Sequence, residues 1–374
     1  MKTHTRVMHC ITTSFALACA LGGALNARAD DAVYQQHNLV SDGFVAADHT
    51  DANLVNAWGV AFNPFGPVWV ADNGTGLSTL YDGDGNIVPL VVQIPTPTAS
   101  SGGPATGIVF NASTSATSFV VSSGTASGPS KFLFATEDGV IAGWAPSVDT
   151  THAFIGVDNS TTTGAVYKGI AMSAGGSGQL LYASDFHNAR VDVFNSTFAP
   201  VTLTPGAFTD PKLPAGYAPF GIQAIGGNVF VTYAKQVAGS NDEAHGQGLG
   251  VVDVYDPNGV FLDRVATHGN LNAPWGIAMA PAGFGQFSNS LLVGNFGDGT
   301  INAYDPKNYT PLGQLKGADH RPIQIEGLWG LAFGNGFVDQ PVNTLFFAAG
   351  PDDEAHGLYG RIDAPPGSHQ GNNN

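Results

Sequence analysis

Two short segments carry nearly the same run of ionisable side chains, Asn241-Asp242-Glu243-Ala244-His245-Gly246 and Asp352-Asp353-Glu354-Ala355-His356-Gly357. Carboxylates and imidazoles at this density are the ligand types of a divalent cation. Hard oxygen donors favour Ca²⁺, and the two histidines admit Zn²⁺ or Mn²⁺. Asp242, Glu243, His245, Asp353, Glu354 and His356 are therefore the candidate metal ligands, although their spacing matches no strict metal signature. Solvated polar loops copied within a repeat are the competing reading. Asp82-Gly83-Asp84-Gly85-Asn86 opens like a calcium loop, but Gln93 stands where a closing Glu is required, so the segment reads as a turn.

An imidazole that titrates near neutrality suits general-base work, which singles out His187 after Asp185-Phe186. Glu137, Asp185, Asp298 and Glu326 are the other candidate catalytic groups. A hydrogen-bonding role in polar loops is the alternative for each. Ser177 in Gly175-Gly176-Ser177-Gly178 lacks the strand-to-helix elbow of a nucleophilic serine. Thiolate chemistry is excluded from the body of the chain, because Cys10 and Cys19 both fall in the leader described below.

These residues must be positioned by a repeat. One pattern recurs six times: Trp58-Gly59-Val60-Ala61-Phe62, Thr106-Gly107-Ile108, Lys168-Gly169-Ile170, Phe220-Gly221-Ile222, Trp275-Gly276-Ile277 and Trp329-Gly330-Leu331. A second apolar run follows each, such as Val68-Trp69-Val70-Ala71-Asp72 or Leu345-Phe346-Phe347-Ala348, short and rich in branched and aromatic residues. Such runs read as strands buried on both faces. A third, alternating strand follows, as in Arg190-Val191-Asp192-Val193-Phe194. A period near 50 residues with several strands per repeat predicts the stacked sheets of a propeller. The fold class is all-β, a six-bladed β-propeller of four-stranded blades. The segment after Leu331 is too short for a whole repeat, so an N-terminal strand around His37 to Val40 is expected to complete the last blade.

The glycine-led pattern followed by a strand ending in Asp or Asn resembles the NHL-repeat propellers. Lys131 to Gly139 with Trp144, and Glu326 to Gly336, are similar to a family of secreted, mainly bacterial proteins of unassigned function. The resemblance implies a six-bladed propeller and transfers no catalytic residue. In this architecture the loops leading into the innermost strands share one rim with those joining second and third strands. Asn56, Trp58, Asp72, Trp275, Asn295 and Trp329 are the candidate ligand-binding residues there. The tryptophans could equally pack between blades. By analogy with the gluconolactonase and regucalcin group, a metal-dependent hydrolase or lyase acting on a sugar-type substrate is the alternative to a binding role. That group's ligand pattern is not reproduced at the six strand beginnings, which favours binding of a small molecule, glycan or protein.

Lys2 and Arg6, an apolar stretch to Leu25 and Ala27-Arg28-Ala29 read as a secretory leader over residues 1–29, so the protein is expected to be secreted or periplasmic. The stretch falls short of the roughly 20 apolar residues needed to span a bilayer. Removing Lys2, Arg6 and Arg28 from the 13 basic residues leaves 10 against 29 acidic ones, a formal charge of −19. Such a chain repels nucleic acid and acidic membrane surfaces. Residues 30–363 are assigned to the propeller and 364–374 to a disordered tail.

Overall fold

A computed structural model describes residues 33–175 and 178–365 of the protein. The leader, Ser177 and residues 366–374 of the tail lie outside the described residues.

Six antiparallel sheets stand around one axis. The first blade comprises Ala57–Phe62, Val68–Asp72, Leu77–Tyr81 and Ile87–Gln93, ordered from the axis outward. The second comprises Ala105–Phe110, Phe132–Thr136, Val140–Trp144 and Phe154–Asp158. An extra hairpin, Val120–Ser123 with Ala126–Pro129, accounts for the long interval between the second and third repeated glycines. The fourth comprises Tyr217–Ile225, Asn228–Gln236, Val251–Tyr255 and Phe261–Thr267; the fifth, Pro274–Met279, Leu291–Asn295, Ile301–Tyr304 and Pro311–Gln314. In the sixth, Leu328–Phe333, Leu345–Ala349 and Leu358–Asp363 are joined by the N-terminal strand Gln35–Ser41, whose Gln35 pairs with Asp363 and Ser41 with Leu358.

The third blade departs from the expected four strands. It has Tyr167–Gly175, Gly178–Asp185 and Arg190–Asn195, followed by a single bridge between Phe194 and Pro200. Pro200, Pro205, Pro211 and Pro214 occupy the stretch where a fourth strand would run. Proline has no N–H to donate, so a ladder cannot be sustained there.

The repeated glycines explain themselves in this ring. A side chain on Gly221 would lie 2.1 Å from the Trp275 carbonyl oxygen of the next blade, on Gly276 2.5 Å from that of Trp329, and on Gly330 2.4 Å from that of Trp58. Only a residue without Cβ lets neighbouring inner strands approach so closely. The second strands are buried along their whole length in the first, second, fifth and sixth blades. Six apolar clusters lie between successive blades, and a seventh fills the axis at one face. Each fully buried large apolar side chain contributes roughly 1.5–3 kcal/mol. Among the described residues no helix is long and apolar enough to cross a membrane.

Candidate functional site at the axial mouth

Backbone hydrogen bonds tie the lead-in to each inner strand to the end of the second strand of the same blade. Asn73 N–H donates to Asn56 O at 2.9 Å, Glu137 N–H to Pro104 O at 3.1 Å, and Phe186 N–H to Val166 O at 2.9 Å. The fourth, fifth and sixth blades repeat the bond through Gln236, Phe296 and Gly350. This gathers the residues around both repeated motifs onto one face, as the sequence predicts.

Lys168 stands at the centre of that face. Its side chain is 4% exposed, its ammonium donates to Glu137 Oε1 at 2.7 Å, and Glu243 Oε2 lies 3.9 Å away. The nitrogen also sits 5.2 Å from the Trp58 ring centroid and 5.8 Å from that of Phe186, within cation–π range. Burial acts to lower the lysine pKa, but Glu137 and then Glu243 outweigh it and hold the group above its ordinary value. The ammonium therefore keeps its proton.

The network runs across blades. Asn56 Nδ2 donates to Asn73 Oδ1 at 3.2 Å, and Asn73 Nδ2 donates to Glu137 Oε2 at 2.9 Å. On the far side, His245 Nε2 lies 3.6 Å from Glu243 Oε1, and its ring edge meets Phe296 at 5.0 Å. The Glu243 carboxylate beside it raises the His245 pKa. Glu354 comes in from the sixth blade. Burial, then the charge of Glu243, lifts its carboxyl to about 7, with Lys168 pulling the other way. Asp352, Asp353 and Glu354 all hold left-handed backbone, at φ 57°, 48° and 67°. Three such residues in succession cost of order 1 kcal/mol each, a strain typical of functional loops.

An aromatic floor underlies the cluster. Trp58 stacks on Trp329 at 3.5 Å, Trp275 meets both edge-on, and Phe296 stacks on Trp329 at 3.9 Å. Trp275 Nε1 donates to the Lys168 carbonyl at 2.8 Å. Trp58, Trp275 and Trp329 are 1%, 9% and 0% exposed, so the three rings pack on one another across the axis. Trp58 Nε1, Trp329 Nε1, Asn56 Oδ1 and Glu354 Oε1 are buried without a hydrogen-bond partner.

The two acidic segments do join the second and third strands of the fourth and sixth blades, and their shared Glu243 and Glu354 both turn to the axis. Their histidines part company. His356 Nδ1 lies 2.7 Å from Asp42 Oδ2, and its ring stacks on Phe44 at 4.0 Å. Asp242 and Asp353 are exposed outside the cluster. Among the described residues no group of three or more His, Cys, Asp or Glu is arranged to hold a metal ion, and the centre of the carboxylates holds the Lys168 ammonium.

Of the other candidates, Glu137 is in the cluster. His187 Nδ1 pairs with Asn241 Oδ1 at 2.9 Å on the outer rim, and Glu326 accepts from Asp352 N–H at 3.2 Å. Asp185 is buried in its own blade, where it accepts from Asn188 Nδ2 at 2.7 Å, and burial raises its pKa. Asp298 holds Thr300 Oγ1 at 2.7 Å, while Asn295 donates to Asn270 O at 2.7 Å; both brace a turn. Asp72 is wholly buried, which drives its carboxyl well above the ordinary range. Asp82 accepts from the N–H groups of Asp84 and Asn86, the plain turn expected of it. The sequence marks Lys168 only as the residue before the third repeated glycine. The signal was there, because Lys168 is the only basic residue among the six that precede the repeated glycines.

No protein-family model matches the chain. It is 34% identical over 331 residues to uncharacterized protein R648 of Acanthamoeba polyphaga mimivirus, covering 87% of this chain and 78% of that protein. It is 32% identical over 336 residues to uncharacterized protein L690 of the same virus, covering 88% and 86%. Among solved structures, a PQQ-bound aldose sugar dehydrogenase from Streptomyces coelicolor superposes with a TM-score of 0.50 at 12% identity, covering 89% of this chain and 98% of that one. A glucose dehydrogenase gives the same TM-score and identity over 87% and 99%. At this identity the likeness is one of fold.

Proposed function

The chain belongs to the family of the mimivirus proteins R648 and L690, and from that premise we propose that it is a secreted or periplasmic binding propeller whose axial face engages a basic protein surface. One observation carries the reading. Lys168 takes up the carboxylates of Glu137 and Glu243, and the stacked tryptophans fill the axis beneath it. What the face then presents outward includes the exposed carboxylates of Asp242 on the fourth blade and of Glu326, Asp352 and Asp353 on the sixth. Fixed charge of one sign on a rigid rim steers and selects a partner of the other sign. The leader-like residues 1–29 support export, and the glycine-led repeat supports an NHL-type lineage.

Titration of a labelled Lys/Arg-rich peptide by fluorescence anisotropy tests the proposal. Saturable binding should weaken with added salt and with the double variant Asp242→Asn/Asp353→Asn, while Asp82→Asn leaves it unchanged. Equal affinity for the double variant would remove the reading. A second reading, a lactonase-like hydrolase or lyase on a sugar-type substrate, is favoured by Glu354, whose carboxyl near 7 suits proton transfer beside a fixed ammonium. Turnover of a lactone panel that Glu354→Gln abolishes would favour it.

A further inference from the structure

Away from the axis, a cleft of about 270 Å³ opens between the outer strand of the fourth blade and the outer half of the fifth. Val265 and Ala266 form one wall and Tyr304 and Tyr309 the other. Asn302 also lines it. That side chain is only 3% exposed; its Oδ1 accepts from Gln314 Nε2 at 3.2 Å, and its Nδ2 has no partner. A buried amide N–H left unpaired is costly, and a ligand that brings an acceptor recovers that cost. Two lining residues, His268 and Tyr309, both at φ 58°, hold a backbone conformation that bulky side chains rarely adopt. The turn Asp305 to Thr310 fixes the second of them through Tyr309 N–H to Asp305 O at 2.8 Å, which holds Tyr309 in the cleft wall.

We propose that this cleft is a binding site for one neutral sugar ring, free or at the end of a glycan. Its volume lies just below the usual range of ligand pockets, so it fits one ring rather than several. The aromatic and aliphatic walls suit the C–H faces of such a ring. Its oxygens satisfy the buried Asn302 amide inside, and its remaining hydroxyls meet Thr267 and Asn270 at the mouth. Anions are disfavoured, since Asp263 already acts on Tyr309 and the chain carries a formal charge of −16. The site is independent of the axial face.

Saturation-transfer NMR and calorimetry with a panel of methyl glycosides and matching oligosaccharides provide the test. At least one ring type should bind saturably. Asn302→Leu, which removes the donor at similar size, should weaken it about tenfold, the scale of one lost directional contact. Tyr309→Gly should weaken it comparably without loss of fold, because glycine accepts the left-handed backbone at that position. Should Asn302→Leu fail to fold, Tyr309→Gly decides alone. Binding confined to oligosaccharides would assign the cleft to glycan ends, and binding of the simple glycosides to free sugars. No saturable binding across the panel, or binding that Tyr309→Gly leaves intact, would overturn the proposal. The Asp242→Asn/Asp353→Asn variant should bind sugar normally, so this site and the axial one fail separately.

Discussion

Lys168→Met is the substitution that most directly probes the axial cluster. Methionine keeps most of the stem length and removes the charge, leaving Glu137, Glu243 and Glu354 without the ammonium that sits 2.7 Å from the first and 3.9 Å from the second. Removing one member of a buried pair costs about 3–5 kcal/mol, because the other charge stays desolvated. The lower end applies here, since the Glu137 side chain is 28% exposed and part of its charge is screened. With unfolding entropy of roughly 2 cal/mol/K per residue, about 3 kcal/mol lowers the Tm of a ring this size by about 4 °C. The deficit should be largest at pH 8 and should narrow at pH 5.5, where Glu354 is protonated with or without its neighbour. Ca²⁺ should raise the Tm of the variant more than that of the parent, since three carboxylates then share an uncompensated centre. Melts followed by circular dichroism at the two pH values, with and without Ca²⁺, read all three. An unchanged Tm at pH 8 would refute the electrostatic account of the cluster.

Glu354 is raised from 4.5 to about 7, so the native state keeps a proton that the unfolded chain has lost in that window, and stability should fall as pH rises through it; Glu354→Gln should flatten the fall and be more stable than the parent at pH 8 in urea titrations. Gly221→Ala forces a methyl against the Trp275 carbonyl and should cost about 1–3 kcal/mol, seen as a lower urea midpoint. Tyr34→Phe removes the bond to Phe284 O at 2.9 Å and the one accepted from Phe287 N–H at 3.1 Å; a loss of about 1–2 kcal/mol should appear as faster hydrogen exchange in the first strand.

The ring was legible because its constraint is local. A glycine recurs wherever an inner strand must touch the next one, so the blade count can be read directly. The missing fourth strand of the third blade was visible too, in four prolines between Pro200 and Pro214, yet the regular period suggested a strand that proline chemistry forbids. The axial cluster was only half legible. Glu243 and Glu354 stood out as twins, but their common partner is one lysine from a third blade, and nothing in the spacing of residues 137, 168, 243 and 354 announces that they meet. His356 diverges from His245 for a similar reason. Its neighbour Phe44 comes from the opposite end of the chain, and no local pattern records that contact.

The pairing of Gln35–Ser41 with Leu358–Asp363 has a mechanical consequence. The strands are antiparallel, so the first residue of one faces the last residue of the other, Gln35 against Asp363. The described ends lie together as well, since Tyr34 and Pro365 both crowd Gly285. Force applied between the ends would load this seam one residue pair at a time, like a zipper pulled from its open end. A ladder loaded in that way resists far less than one sheared along its length. The ring would yield first at the sixth blade, and under tension its weakest line is the seam where its first strand meets its last.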